Sequence, residues 1–479
     1  MTKNIIKTDL CVIGGGSGGL SVAAGAVQMG ADTVLVEGGK MGGDCLNYGC
    51  VPSKALLAAA KHAVALKGAG NFGVQELSPE VNYPAVMKHV EEVIAGIEPH
   101  DSVERFEGLG VRVIQGYGKF TAPDCLEVAG HIIKARRFVI ATGSSTALPP
   151  VPGLSEISYL TNETLFENRQ LPDHLIVIGG GPIGMEMAQA HARLGAKVTV
   201  LEAFKALSKD DSELTKIALE CIREDGVEIK EGVKIAHVAQ KGQKSFEITL
   251  EEEGEQIKLT GSHVLVAAGR KPNVAGLGLE AAGVETNKAG IIVDNRLRTS
   301  NKKIFAIGDV AGGYQFTHIA GYHAGIVIRN ILFKLPAKVN YDAVPWVTYT
   351  SPELANVGLT EAAARERYDE DQIKVLKFEY AENDRARAEL LTTGMIKAIV
   401  HKNGKILGAG IVGAQAGELI QPWGLAISSG LKISSMASYI SPYPTLGEIN
   451  KRVAGSFYTP KLFSERTRKV VKFLQRLPF

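Results

Sequence analysis

The chain has 479 residues, enough for about three domains. Its 45% hydrophobic and 22% charged residues exclude a chain that is disordered throughout, and a net charge of +2 excludes a globally basic nucleic-acid binder. Five cysteines (Cys11, Cys45, Cys50, Cys125 and Cys221) are too few, and odd in number, for a secreted disulfide scaffold.

In chain order, residues 5–13 read as a short buried strand, which runs into the glycines of GGGSGG. A helix of small residues follows, then a second strand ending at Glu37. This is a βαβ unit with Gly14, Gly16 and Gly19 at its turn. The same unit returns with Gly179, Gly181, Gly184 and Glu202, each of the four positions shifted by 165 residues. The repeat points to two Rossmann-type dinucleotide sites. Glycine lets the backbone approach a pyrophosphate, and the helix N-terminus offers free N–H groups and partial positive charge. Glu37 and Glu202 are expected to accept hydrogen bonds from an adenosine ribose. At the second site the acid disfavours a 2′-phosphate, so NADH is expected over NADPH, although Lys205 lies nearby. The 54 glycines are about 11% of the chain, and part of that excess belongs to these turns.

Strand-plus-glycine signals close each half, at Thr142–Gly143 and at Ala268–Gly269. The first half is the longer, and its extra residues contain GGDCLNYGCVPSK. Cys45 and Cys50 suit a disulfide that opens and closes without large motion, provided the backbone bends to bring them together. Pro52 marks the start of a helix, which places Cys50 where the dipole and Lys54 lower a thiol pKa. A metal site would need two further ligands at similar spacing, and none follow. The other histidines show no metal spacing, and Cys11 reads as a buried small hydrophobe.

CLNYGCVPSK, the two glycine turns, Ala141–Gly143 and IFAIGDVAGG together resemble the flavoprotein pyridine nucleotide–disulfide oxidoreductases, over nearly the whole chain. That family includes dihydrolipoamide dehydrogenase, glutathione reductase and mercuric reductase. The resemblance implies an α/β fold: two Rossmann-like domains, for FAD and NAD(P), and a C-terminal α+β dimerisation domain. The FAD domain would take residues 1–150 and 276–345, the NAD(P) domain 151–275, and the interface domain of a homodimer 346–479. FAD would lie, non-covalently, against Gly14, Gly16, Ser17, Gly18, Gly19, Glu37, Gly43, Asp44, Gly118, Ala141, Thr142, Gly143, Gly308 and Asp309. Phe316, Thr317 and His318 would lie near the flavin ring, with Lys54 paired to Glu186 beside it. The nicotinamide nucleotide would meet Gly179, Gly181, Pro182, Ile183, Gly184, Glu186 and Glu202, and Gly269 and Arg270 would also contact a cofactor. By the same analogy Cys50 is the flavin-proximal thiol, and Cys45 is the outer thiol that exchanges with a thiol/disulfide-type or metal acceptor.

The chain departs from the family pattern near its C-terminus, where His-Pro-Thr with a following Glu is usual. Pro444, Thr445 and Glu448 fit, but Tyr443 takes the histidine position. Tyrosine titrates near 10 and is a poor base at neutral pH. Mercuric reductases share a tyrosine here, but they also use a C-terminal cysteine pair, and this chain has no cysteine after Cys221. The pattern resembles a mercuric-reductase-like branch, with dihydrolipoamide dehydrogenase, mercuric ion reductase and a redox-sensing binding protein as the alternatives. Pro182 stands where relatives often carry an aromatic residue over the flavin, which would leave that pocket more open. In this family Tyr443 and Glu448 would reach Cys45 of a second copy.

From Lys461 onward six basic residues face one acid, a net +5. Val470, Val471, Leu474 and Leu477 share one helical face, with Arg468, Lys469, Lys472 and Arg476 opposite. Such a helix packs on its own domain, docks a partner or lies on an anionic membrane. No signal-peptide pattern or spanning apolar run is visible, so a cytoplasmic protein is expected.

Overall fold

The computed structural model describes residues 4–242, 245–252 and 254–478. The chain forms two compact units, Met1–Ala203 with Val227–Asn340, and Phe204–Gly226 with Tyr341–Phe479. The segment Phe204–Gly226, which the sequence reading places inside 151–275, belongs to the second unit.

Two parallel sheets of the first unit carry the repeat. In one, the strand Asn4–Ile13 lies between Thr33–Glu37 and His131–Ile140, with Arg112–Gln115 beyond Thr33–Glu37. In the other, His174–Ile178 lies between Lys197–Glu202 and His263–Val266, with Val227–Glu231 beyond Lys197–Glu202. The strand order is therefore the same in both halves. These central strands are runs of Val, Ile and Leu because both faces of a parallel sheet are covered. Val12, Leu35, Val139, Val177 and Val200 are all buried.

The helix Ser17–Gln28 buries Gly19, Val22, Ala23 and Ala26, and its small residues Gly18 and Gly25 let the helix Thr317–Ile331 come close. A Cβ on Gly25 would lie 2.5 Å from Ile328 Cδ1, and one on Gly18 3.2 Å from the Ala320 Cβ. The long helix predicted from KALLAAAKHAVAL runs Cys50–Lys67. Cys11 is fully buried in the first strand, as expected of a small hydrophobe.

The second unit is built on a five-stranded antiparallel sheet in the order Pro345–Thr348, Glu353–Gly358, Ile406–Gly413, Met395–His401, Ile373–Glu379. Its core holds Tyr380, Ile411, Trp423, Ile449 and Val453. The Trp423 indole donates to Asn450 Oδ1 at 2.8 Å, so its one polar group is satisfied inside the core. The helix Ser212–Glu224, capped by Asp211, buries Leu214, Ala218 and Ile222. Lys397, on a central strand, is buried and reaches Asp211, Glu213 and Glu361, with both Asp211 oxygens at 3.0 Å. Burial alone would lower the Lys397 pKa, but the three carboxylates outweigh it and raise it. The helix Glu465–Leu474 has no buried residue. Among the described residues, no helix is long and apolar enough to cross a membrane.

Candidate active site

The two glycine turns agree at the level of single atoms. Gly14 N–H donates to Val36 O, and Gly179 N–H donates to Leu201 O. A Cβ on Gly14 would sit 2.3 Å from Ala141 O, and one on Gly179 2.5 Å from Ala267 O. A Cβ on Gly19 would lie 1.8 Å from Gly14 O, and one on Gly184 2.0 Å from Gly179 O. Glycine is therefore required at these turns by close backbone approach. The acids also match. Glu37 accepts from the N–H of Gly15 and of Gly39, and Glu202 accepts from Gly180 N–H at 2.7 Å.

Both helices that follow are open at their starts. Ser17–Gln28 has Gly16 as its N-cap and Pro182–Arg193 has Gly181. Neither has a side-chain cap or an acid in its first turn, so each presents unpaired N–H groups and a partial positive charge. That donor set fits a dinucleotide pyrophosphate at each turn. Ile183 is part-exposed in the first turn of the second helix, beside Pro182. Gly43 lies against Gly16, where a Cβ would come within 2.7 Å of the Gly16 Cα.

The cysteines lie beside the first turn. Cys50 is the first residue of its helix, behind Gly49, and is exposed, whereas Cys45 is half-buried. The two thiols share a hydrogen bond, with Cys45 donating. That bond holds the Cys50 pKa well below the usual thiol range. Thr317 Oγ1, 3.4 Å from Cys50 Sγ, and the charge of Lys54 add to the effect against burial. The same hydrogen bond, with burial, pushes the Cys45 thiol up. Cys50 is thus the more readily ionised of the two thiols. Lys54 Nζ lies 2.8 Å from Glu186 Oε2, and Glu186 is buried. Thr317 opens the helix Thr317–Ile331, and next to it Phe316 and His318 stack with ring centroids 5.2 Å apart.

A second polar cluster forms around Asp309. Ser144 Oγ donates to Asp309 at 2.5 Å, and burial raises the Asp309 pKa. Arg270 joins this cluster. Its guanidinium is 3.2 Å from Asp44 and 3.7 Å from Asp309, and it donates to both the hydroxyl and the carbonyl of Ser144. The cause is topological. The strand Arg270–Pro272, just after Gly269, pairs antiparallel with Ser144–Thr146, just after Gly143. Asn162 donates to Asp44 at 2.8 Å, and Thr142 and Asn273 exchange two hydrogen bonds. Gly308 N–H donates to His323 Nδ1 at 3.1 Å, and burial lowers the His323 pKa to about 4, keeping that nitrogen an acceptor. Gly118 stands apart from this cluster and packs on Leu126.

Sequence reasoning missed Ser144, Asn162, Asn273 and His323. Ser144 and Asn273 adjoin the ATG and GR segments, so proximity to those motifs is the signal that could have found them. Asn162 and His323 carry no local signal, because their partners are remote in sequence.

Tyr443 and Glu448 lie in the second unit. Tyr443 is 67% exposed, and its hydroxyl donates to Asp384 Oδ2 at 3.2 Å. The Asp384 charge raises the Tyr443 pKa above the ordinary tyrosine value. Glu448 begins the helix Glu448–Ser456. Asp384 had no sequence signal.

Comparison with known proteins places this arrangement in a family. Residues 8–324 match the pyridine nucleotide-disulphide oxidoreductase model, and residues 344–454 match the dimerisation domain of the same name. The chain belongs to the pyridine nucleotide–disulfide oxidoreductases and is an FAD- and NAD(P)-dependent flavoprotein oxidoreductase acting through a redox-active disulfide. It is 35% identical to a mercuric reductase of Streptomyces lividans, over 94% of this chain and 96% of that one. It is 36% identical to a dihydrolipoyl dehydrogenase of Staphylococcus aureus, with the same coverage. Among solved structures, the copper(II) complex of the HOCl-induced flavoprotein disulfide reductase RclA from Escherichia coli superposes with a TM-score of 0.84. That match is 28% identical and covers 94% of this chain and 99% of that one.

Proposed function

We propose that the protein is a cytoplasmic, homodimeric NADH-dependent enzyme of a mercuric-reductase-like branch, which delivers electrons through Cys45 and Cys50 to a soft metal ion. FAD supplies the relay of two electrons from the nicotinamide to the disulfide. Cys50 then holds the thiolate, and Cys45 holds the proton it must lose before it attacks or binds an acceptor. The observation that carries the reading is the state of Tyr443. Its hydroxyl is a donor to Asp384 with a raised pKa, and so a poor base for that proton. A metal ion needs no such base, because a coordinating thiol is deprotonated by the metal itself. The dithiol returns to the disulfide with loss of two electrons and two protons, which reduces one Hg(II) to Hg(0) or two Cu(II) to Cu(I). The copper(II) complex described for RclA supports the metal class. On this reading the ion is substrate, taken by the thiol pair. A thiol/disulfide acceptor such as lipoamide is the second reading, supported by an identity to dihydrolipoyl dehydrogenase of 36%, against 35% to the mercuric reductase.

An acceptor screen separates them. NADH oxidation should be faster with Hg(II) in excess thiol, or with Cu(II) in the absence of added thiol, than with lipoamide. Tyr443→His should raise dihydrolipoamide oxidation by roughly 10²–10⁴-fold, the contribution of a matched base, and leave metal reduction unchanged. Fast lipoamide turnover by the unaltered enzyme would sink the metal reading.

Nucleotide preference rests on Glu202 and Glu231, which lie opposite one another in strand register at the end of the second sheet. Two acids there oppose a 2′-phosphate. A single like-charge pair at about 4 Å costs between ~1 and ~4 kcal/mol, depending on solvent exposure. The kcat/KM for NADH should therefore exceed that for NADPH by about tenfold or more, and Glu202→Ala should narrow the gap. Equal values in both proteins would remove Glu202 from this role.

A further inference from the structure

The C-terminal helix Glu465–Leu474 begins beyond the end of the dimerisation-domain match at residue 454 and buries none of its side chains. Its start is nevertheless well defined, since Ser464 caps it by accepting from Thr467 N–H. Val470, Val471, Phe473 and Leu474 are between 44 and 62% exposed, together with Leu462 and Phe463 just before the helix. A contiguous exposed apolar stripe of this kind marks an interaction surface. The opposite face carries Arg468, Lys469, Lys472 and, just after the helix, Arg476. The tail from Lys461 has a net charge of +5, while the rest of the chain is net −3.

We infer that this helix is a docking surface for an anionic lipid bilayer, on which it lies flat. The two faces match the two layers of a bilayer interface, acyl chains beneath and anionic headgroups at the flanks. A nucleic acid would use the cations and leave the apolar stripe in water. The same helix from a second copy would bring like charge against like charge. A single amphipathic helix binds reversibly, and a dimer presents two, so effective concentration strengthens attachment. The surface rests on residues distinct from the nucleotide sites and the thiol pair, so it stands or falls separately from the proposed acceptor.

Flotation of the full-length FAD-loaded protein with vesicles tests this. With about one third phosphatidylglycerol in phosphatidylcholine, bound protein should exceed that on phosphatidylcholine alone by about tenfold or more. High salt should weaken the binding. The double substitution Val471→Asp and Leu474→Asp should abolish flotation while NADH oxidation is retained, since neither side chain is buried. A chain truncated after Tyr458 should also fail to float, yet remain dimeric by light scattering. The inference is overturned if the full-length protein does not float or binds neutral vesicles equally well. It is overturned too if the double variant floats undiminished, or if truncation yields monomers, which would make the helix an intersubunit contact.

Discussion

Cys45→Ser is expected to leave a yellow protein that still binds FAD and still takes a hydride from NADH, yet reduces neither metal ions nor disulfides. The loss should be about 10³-fold or more in kcat, because removing one member of a group that acts as a unit costs nearly as much as removing them all. The reason lies in the division of labour within the pair. Cys45 is the thiol that carries the proton, and Cys50, beside Thr317 and Lys54, is the thiol that carries the charge. With serine at position 45 the pair can neither re-form its disulfide nor offer two sulfur ligands. Cys45→Ala, unlike Cys45→Ser, also removes the hydrogen-bond donor to Cys50, so there the Cys50 pKa should rise toward the ordinary thiol value. Rapid alkylation of the reduced unaltered enzyme should persist to a pH below that at which a free cysteine reacts, and this window should close in Cys45→Ala. Stopped-flow absorbance and iodoacetamide labelling measure the two effects separately. Metal reduction by Cys45→Ser at the unaltered rate would show that electrons leave the flavin directly.

The largest stability loss is expected at Lys397. Its ammonium is buried, 4% exposed as a side chain, among Asp211, Glu213 and Glu361. Lys397→Met fills similar space but leaves Asp211, also buried, without its counter-charge. Removing one partner of a buried pair costs about 3–5 kcal/mol, since the remaining charge is uncompensated. The lost stability should appear as a lower urea midpoint for the second unit. Combining Lys397→Met with Asp211→Asn, which removes the buried charge but keeps a capping oxygen for the helix, should recover much of it, because the penalty is charge burial rather than lost volume. The pH profile follows the same logic. Glu213, hydrogen-bonded first to Lys377, and Glu361, bonded to Lys397 despite its burial, both have lowered pKa values. Their contribution is complete above the ordinary glutamate range and is lost as pH falls through the lower folded values. Lys397, with a raised pKa, contributes fully below the ordinary lysine value and is lost only at higher pH. Unaltered protein should therefore lose stability on acidification, and Lys397→Met should lose less. Equal acid sensitivity would mean that the cluster is not the source.

The repeated glycine turn was legible because close backbone approach leaves no alternative to glycine. A Cβ at Gly19 or Gly184 would lie within 2.0 Å of a carbonyl oxygen, so those positions appear in the sequence as signals. The thiol pair was legible for a similar reason, since the neighbouring helix start and Lys54 are local in sequence. The Lys54–Glu186 pair was reached through family resemblance, because its partners are 132 residues apart. Arg270 shows what local reading leaves open. It follows the second half's terminal glycine, and only the pairing of Arg270–Pro272 with Ser144–Thr146 carries it to Asp44 and Asp309. The assignment of Phe204–Gly226 to the second unit depends likewise on the remote partners of Asp211, among them Lys397. The two phosphate-binding turns, the redox pair with Cys50 as its low-pKa thiol, and the missing histidine are local demands of backbone space or side-chain chemistry, and so are written in short stretches of sequence. The Thr317 contact to Cys50, the Asp384 partner of the tyrosine hydroxyl and the exposure of the terminal helix came from the folded chain, because each depends on groups that are remote in sequence.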